Sequence, residues 1–469
     1  MRDCRCQQVL TYMKSIMCAF LVLVLAGCAA EAPPKVSHNS SALVSATKMQ
    51  TFPNVHVPRS VSRSNVDIAE EFLDLSFALE SGQSIKHLTR FEGPISVAIT
   101  SSTPDNVVRE LDRLVARLKS EAGLNIRRVS GDSANIYVET LPKKQLQNMF
   151  PTAACFVVPN VTGWSDYRRK RFNKTVDWTR LEQRTQITVF MPNDVSLQES
   201  RDCLHEEIAQ ALGPVNDLYR LPDSVYNDDN FHIALTAYDM LILRAYYAPE
   251  MYNGMTRLQA AAVLPQILRR LNPAGRALPP ARLPKTSKSW INAVETALGP
   301  SAGNISRRNA AFRAVQIAKD NGYNDHRIGF AHFARAQVSL HHDPRLAAAD
   351  FAQAYSIFKA LFGRNDIHTA HAAVQMASLS LSAGKYDLAL EFINSSIPPA
   401  RKAQNGSLLF SLLAMKSEVY DGLGRFADAK SLKKEAISWG HYGLASKTEI
   451  SKRLEQVAAL RPRVSTKGT

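Results

Sequence analysis

The sequence predicts an α/β domain followed by an all-α domain of helical repeats. From about residue 66 to residue 272, short β-branched strand patterns alternate with amphipathic helical patterns, as in α/β layer folds. From residue 290 onwards the pattern is helical, and one short motif recurs after 40 positions. The 469 residues fit two to three domains, and 45% hydrophobic with 21% charged residues exclude intrinsic disorder, collagen and a polytopic membrane protein.

The N-terminus carries an export pattern. A basic residue precedes the apolar run 19–25, which leads into Leu25-Ala26-Gly27-Cys28. Small residues before a cysteine resemble the lipobox of bacterial lipoproteins. The resemblance implies a signal peptide over residues 1–27, acylation of Cys28 (palmitate labelling) and, because Ala29 rather than Asp follows, sorting to the outer membrane facing the periplasm. The alternative is a plain signal peptide or a short transmembrane helix, although the run is shorter than the roughly 20 residues that span a bilayer.

Two segments have the composition of linkers. Residues 28–65 are rich in Ser, Pro, Asn and Val without periodicity, so we expect a flexible tether. Residues 273–289 hold four prolines in a basic stretch and predict a Pro-rich linker. These segments delimit the α/β domain, 66–272, and the repeat domain, 290–460.

The α/β domain begins with a helical pattern near Val66. A clean amphipathic helix ends at Gly123, and a second long helix runs from about Leu197 to Leu212. Period-two or continuous apolar runs predict the strands, which lie at 94–100, 126–129, 135–138, 155–158 and 186–190.

Two cysteines lie in the predicted folded part, Cys155 and Cys203. In the oxidising compartment that an export signal implies, such a pair tends to form a disulfide. Free thiols are the alternative. A catalytic thiol at Cys203 needs an activating base, and His205 is two positions away, which does not face it on a helix.

The C-terminal part repeats itself. GKYDLA, which begins at Gly384, is echoed by GRFADA at Gly424, and a weaker copy runs through Ala347, Phe351 and Ala354. The motif resembles the tetratricopeptide repeat, in which glycine ends a first helix, the aromatic residue fills the groove between helices, and alanine lets a second helix approach. An unrelated helical bundle is the alternative.

One predicted helix carries the candidate catalytic chemistry. Beside the metzincin zinc-peptidase pattern H-E-x-x-H-x-x-G-x-x-H, the matching positions are Glu206 (first ligand), Glu207 (general base), Gln210 (second ligand), Gly213 (turn) and Asn216 (third ligand). The preceding order of strands and helices is also similar to a zincin fold, whose edge strand would lie near 186–190. All three histidines are absent, and the oxygens that replace them suit Ca²⁺ or Mg²⁺ better than zinc. The resemblance therefore implies a zincin-like domain with a degenerate site.

A wider set of residues resembles an uncharacterised proteobacterial lipoprotein family, domain of unknown function 2927. The resemblance covers about residues 66–272 and implies a fold and an envelope location, but no reaction. It rests on FEGPI at 91–95, the Glu206–Gln210 helix, Gly213, Asn216-Asp217, Pro222-Asp223-Ser224, Asn227-Asp228-Asp229, Tyr238-Asp239 and Leu243-Arg244.

Charged clusters offer further candidates. Acidic residues after the long helix have the chemistry of a hard-cation site, together with Glu206 and Glu207: Asp217, Asp223, Asp228 and Asp229. Asp and Asn also cap turns, and we expect that role here. The basic run 168–171 lies in a predicted loop beside aromatic residues and is a candidate contact for anionic lipid or glycan, with a solvated loop as the favoured alternative.

These patterns predict a lipid-anchored cell-envelope protein whose zincin-like domain is inactive and whose repeats bind another envelope protein, in an adaptor or assembly role. The alternative is a metal-dependent envelope hydrolase, a peptidase or a peptidoglycan-acting enzyme, in which Glu207 is catalytic and Glu206, Gln210 and Asn216 hold the metal. A glycan-binding lipoprotein is a third, weaker interpretation. We expect no cofactor in the first case and a divalent cation in the second. The Cys28 lipid provides the membrane contact, and an exported protein does not meet nucleic acid in spite of a net charge of +15.

Overall fold

The computed structural model describes residues 38–462 except 54–56, 132–133 and 152. The chain divides into two compact units. The first consists of Pro53–Val195 and Ser200–Lys285, and the second of the segment up to Phe52, Ser196–Glu199 and the chain from Thr286. The predicted signal peptide and Cys28 lie outside the described residues, among which no helix is long and apolar enough to span a membrane.

The first unit combines helices with one mixed sheet. The strands are β1 Ile95–Ile99, β2 Ile126–Arg128, β3 Ile136–Leu141, β4 Phe156–Pro159 and β5 Ile187–Pro192. Helix α1, His38–Ala46, belongs to the second unit. The helices that follow it up to residue 285 are α2 Asn65–Ser76, α3 Asp105–Glu121, α4 Lys143–Gln147, α5 Trp164–Lys170, α6 Leu197–Leu212, α7 Ala237–Tyr246 and α8 Arg257–Leu271.

The five strands have the order β2-β1-β3-β5-β4. All neighbours are parallel except β4, which runs antiparallel to β5; Val97 pairs with Ile136, and Val138 pairs with Val189. Every residue of β5 is buried. The expectation that the edge strand lies near 186–190 is therefore wrong, because β5 is an inner strand and β4 forms the edge. A continuous apolar run is typical of a strand covered on both faces.

The second unit is all-helical after residue 286. Its helices are α9 Lys288–Leu298, α10 Asn304–Asp320, α11 His326–Ser339, α12 Pro344–Phe362, α13 Ile367–Ser382, α14 Tyr386–Lys402, α15 Gly406–Gly422, α16 Phe426–Gly443 and α17 Lys447–Ala458. Consecutive helices pack in pairs from α9 with α10 to α15 with α16, and α13 and α17 both pack against α15.

The repeated motif has the expected local geometry. Gly384 and Gly424 have φ of +67° and +75° just after α13 and α15, where a left-handed residue ends a helix and glycine avoids the Cβ clash. Tyr386 lies against Gly422, where a Cβ would stand 2.6 Å from the tyrosine ring. The equivalent Phe426 is 67% exposed, so the expectation that this aromatic residue fills an inter-helix groove is wrong for the last motif.

Part of the predicted flexible tether is ordered. Helix α1 packs against α16 and α17, the Gln50 N–H donates to the Ser438 carbonyl at 3.0 Å, and the Phe52 ring stacks on Trp439 with centroids 4.4 Å apart. The expectation of a flexible coil is therefore wrong for residues 38–52. Phe52 is the only aromatic residue of the segment, and one residue gives no periodic signal in the sequence.

The predicted Pro-rich linker lies against α2. The Asp67 carboxylate accepts hydrogen bonds from the backbone N–H groups of Ala281 (2.7 Å) and Arg282 (3.1 Å). Lys285 Nζ donates to Asp74 at 2.9 Å. The two units divide immediately after Lys285.

Candidate functional site

Helix α6 carries most of the predicted site residues, and a disulfide fixes its position. Cys203 on α6 is bonded to Cys155 immediately before β4, with Cα atoms 5.9 Å apart. The predicted disulfide is confirmed, and the alternative of free thiols is wrong in this structure. The bond ties α6 to the edge of the sheet, so the residues that follow Cys203 keep a fixed orientation.

The C-terminal end of α6 is held by one buried arginine. The guanidinium of Arg184, which is 4% exposed, donates to the carbonyl oxygens of Gln210 (2.6 Å), Ala211 (2.7 Å) and Gly213. The last carbonyls of a helix have no partner within the helix, and a cation there also opposes the helix dipole. No pattern in the sequence predicts this contact, because Arg184 precedes α6 on a loop and has no periodic relation to it.

Two titratable residues on α6 are enclosed. His205 Nδ1 accepts a hydrogen bond from the Leu235 N–H at 3.0 Å. Burial, followed by the charges of Arg201 and Arg117, lowers the pKa of His205 well below its usual value, so the ring is neutral. Glu207 is 0% exposed. A general base must reach water and substrate, so the burial of Glu207 favours a structural role.

Three carboxylates meet beside α6. Oxygen atoms of Glu206, Asp217 and Asp228 all lie within 4.8 Å of one another. Gln210 Nε2 donates to Asp217 Oδ2 at 3.3 Å, at the margin of the same group. Carboxylate oxygens at this spacing suit a hard cation such as Ca²⁺ or Mg²⁺ better than zinc. We call Glu206, Asp217 and Asp228 the carboxylate cluster.

Asn216, which matches the third ligand of the metzincin pattern, is hydrogen-bonded to α2. Asn216 Nδ2 donates to the backbone carbonyl of Asp74 at 2.9 Å. The Asp74 carboxylate in turn binds Arg220 (2.8 Å), Arg257 (2.8 Å) and Lys285. Burial alone would raise the pKa of Asp74, but hydrogen bonds and charges from these cations hold it below its usual value. The structure therefore brings Glu206 and Gln210 near each other and ties the side chain of Asn216 to α2.

The acidic residues after α6 divide into two groups. Asp229 Oδ1 accepts from the Phe231 N–H at 3.1 Å, as expected for a turn-capping residue, and Asp223 pairs with Arg63. Asp217 and Asp228 instead join Glu206 in the carboxylate cluster. The capping role predicted for all four residues therefore describes Asp229, and Asp223 forms an ion pair.

The start of α7 adds a buried acid. Asp239 closes a capping box with Thr236 and accepts a 2.6 Å hydrogen bond from the Ser224 hydroxyl. Burial raises the pKa of Asp239 from 3.8 to about 6, although these hydrogen bonds act in the opposite direction. This residue connects the turn at Ser224 to α7 and closes the segment that carries Asp217 and Asp228.

Comparison with known proteins supports the predicted family for the first unit. Residues 65–266 match the family model described as "Protein of unknown function (DUF2927)". The match extends from α2 into α8 and includes the sheet, α6 and the carboxylate cluster. No curated protein and no solved structure matches the chain.

Proposed function

We propose that this protein is a lipid-anchored cell-envelope protein with an adaptor or assembly role, and that its DUF2927 region is a zincin-like domain without peptidase activity. The observation that carries the proposal is the environment of the metzincin positions on α6. Glu207 is fully buried, and Asn216 is hydrogen-bonded to the backbone of Asp74. No imidazole stands at a ligand position, and zinc hydrolysis needs an imidazole- or thiolate-bound metal with an open site for water.

The helical part supplies the partner-binding surface in this proposal. We assign its helix pairs to the tetratricopeptide type, because Gly384 and Gly424 end the first helices and Ala389 and Ala429 are buried in the second. Nearly all of α13 and α15 is buried, so we do not assign the partner-binding surface to these first helices.

The exposed apolar residues of the last repeats lie at their turns instead. Leu388, Leu423 and Phe426 are 40%, 46% and 67% exposed. The contact of Tyr386 with Gly422 makes the two turns neighbours. We call Leu388, Leu423 and Phe426 the turn surface, and we place the protein partner there. Clustered exposed apolar side chains are typical of interaction sites.

The carboxylate cluster favours a second candidate function, a metal-dependent envelope hydrolase with a non-standard site. Glu206, Asp217 and Asp228 provide three oxygen ligands within 4.8 Å of one another. A hard cation there would polarise a substrate carbonyl or a water molecule. In that mechanism Glu206 and the two aspartates bind the cation, and Gln210 orients Asp217.

Metal analysis of the purified full-length protein separates the two candidates. The adaptor predicts no stoichiometric divalent cation and no hydrolysis of peptide or peptidoglycan substrates, whereas the hydrolase predicts both. A Ca²⁺ or Mg²⁺ titration followed by thermal unfolding then tests the cluster with Glu206→Gln/Asp228→Asn, and Asp223→Asn, an acid outside the cluster, is the control. Hydrolysis that depends on the cation and on Glu206 and Asp228 would contradict the adaptor.

The proposed lipid anchor is tested by substitution of Cys28. Cys28→Ser should abolish incorporation of labelled palmitate and leave the precursor uncleaved or unanchored. The wild-type chain should be labelled and recovered with the outer membrane. Unchanged labelling of the Cys28→Ser variant would show that this cysteine is not the lipidation site.

A further inference from the structure

A basic surface with one exposed aromatic ring lies on α5 and the 3₁₀ turn that follows it. Its members are Arg168, Arg171, Phe172 and Lys174, and we call them the basic–aromatic patch. Phe172 is 74% exposed, and the Arg171 guanidinium lies 4.6 Å from the centre of its ring. The cation therefore stands beside an apolar group that the first unit leaves in solvent.

The patch rests on a rigid platform, although the sequence predicts a loop at 168–171. Trp164 and Tyr167 of α5 are buried against Phe156 and Phe190, with Trp164 and Phe190 centroids 5.4 Å apart. The Trp164 N–H donates to Glu139 Oε2 at 2.6 Å. These contacts fix α5 to the sheet, so Arg168 lies on an ordered helix and Arg171 immediately follows its end.

Local carboxylates neutralise only part of the basic run. Asp166 binds Arg169 (3.0 Å) and Lys170 (2.8 Å). Within the part of the chain that the structure describes, Arg168, Arg171 and Lys174 have no carboxylate partner. Three cations within seven residues of the chain, one of them beside the exposed Phe172 ring, thus remain available for an anionic ligand.

We propose that the basic–aromatic patch binds the anionic phospholipid headgroups of a membrane surface. The inference rests on the proposed envelope location for its biological setting. Cations near an anionic bilayer each strengthen binding by a factor of about five, and an aromatic ring at the headgroup level adds an apolar contact. Arg168, Arg171 and Lys174 bind lipid phosphates, and Phe172 enters the interface between headgroups and acyl chains.

Vesicle co-sedimentation of the chain from Ala29, without the predicted signal peptide and without Cys28, tests the patch in the absence of an acyl chain. Vesicles of phosphatidylethanolamine with 30% phosphatidylglycerol are compared with vesicles of phosphatidylcholine alone. Arg168→Glu/Arg171→Glu should lower the partition coefficient on the anionic vesicles about 30-fold or more, because two cations are lost and two like charges are added. Phe172→Ser should weaken binding at low and at high salt, whereas the charge-dependent part should vanish at about 1 M salt.

A charge-matched control distinguishes vesicle binding by this patch from attraction by the net charge of the protein. Lys430→Glu/Lys434→Glu changes the net charge equally at exposed positions of α16, and it should change binding less than twofold. Equal losses in the two double variants, or equal binding to both kinds of vesicle, would overturn the proposal. If the wild-type protein is not labelled with palmitate in cells but the purified protein still binds anionic vesicles through the patch, the envelope location is contradicted and the patch is not.

Discussion

The first unit has polar contacts between segments that are far apart in the sequence, whereas the second unit has close packing of helices at small residues. Arg184 binds the end of α6, and Asp74 binds three cations from separate segments. In the second unit a Cβ at Gly443 of α16 would lie 2.3 Å from the backbone nitrogen of Ser407 in α15, so the two helices nearly touch. Single polar residues therefore position elements of the first unit, whereas small residues that recur along the chain allow helices of the second unit to pack closely.

Among the variants that test this difference, Arg184→Met should lower the free energy of unfolding most. The variant leaves three helix-end carbonyls buried without their donor, at about 1–3 kcal/mol for each unsatisfied group. We expect the free energy of unfolding to fall by about 3–5 kcal/mol in a denaturant titration followed by circular dichroism. A change below about 1 kcal/mol would show that water satisfies these carbonyls.

Removal of the disulfide should be the next largest change. Cys155→Ala/Cys203→Ala opens a cross-link over 48 residues, and we expect a loss of about 2–4 kcal/mol. The same shift in melting temperature should follow reduction of the wild type and should be absent in the double variant. A shift in both proteins upon addition of reductant would assign the effect to something other than this bond.

Small-residue packing in the second unit is tested by Gly443→Ala. Alanine normally favours a helix over glycine by about 1 kcal/mol, but here its methyl group would overlap the backbone of Ser407 and Gly406. We expect a net destabilisation of about 1–3 kcal/mol. Ser431→Ala, at an exposed position of the same helix, is the control and should change the melting temperature little. Stabilisation by Gly443→Ala would mean that α15 and α16 can separate at little cost.

The last prediction concerns the pH dependence of stability that the buried acid Asp239 adds to the first unit. Asp239 takes up a proton below about pH 6 in the folded state, but only near 3.8 in the unfolded state. The contribution of this group to the unfolding free energy therefore rises as pH falls from about 6 to 3.8, and it is lost as pH increases through that window. The stability difference between wild type and Asp239→Asn should change with pH in this range and be constant above it. A constant difference throughout would show that Asp239 titrates normally.

The sequence predicted the elements better than their polar contacts. Periodicity identified the five strands, helix α6 and the helix pairs, because burial of one face leaves a local pattern. It missed the inner position of β5 and the ordered segment at Phe52, since both depend on residues far along the chain. For the site, the sequence named Glu206 and Asp217 but gave no sign of Arg184 or Asp74, whose partners lie on other elements.

Complementation of a deletion strain with two variants tests the adaptor proposal most directly. Leu423→Ser/Phe426→Ser changes the exposed turn surface and should abolish function while the protein remains folded and present. Glu207→Gln preserves the shape of a buried side chain and should restore function as the wild type does, whereas loss of a general base lowers a rate by about 10² to 10⁴. An inactive Glu207→Gln variant at normal protein level beside a fully active turn-surface variant would contradict the adaptor and favour the hydrolase.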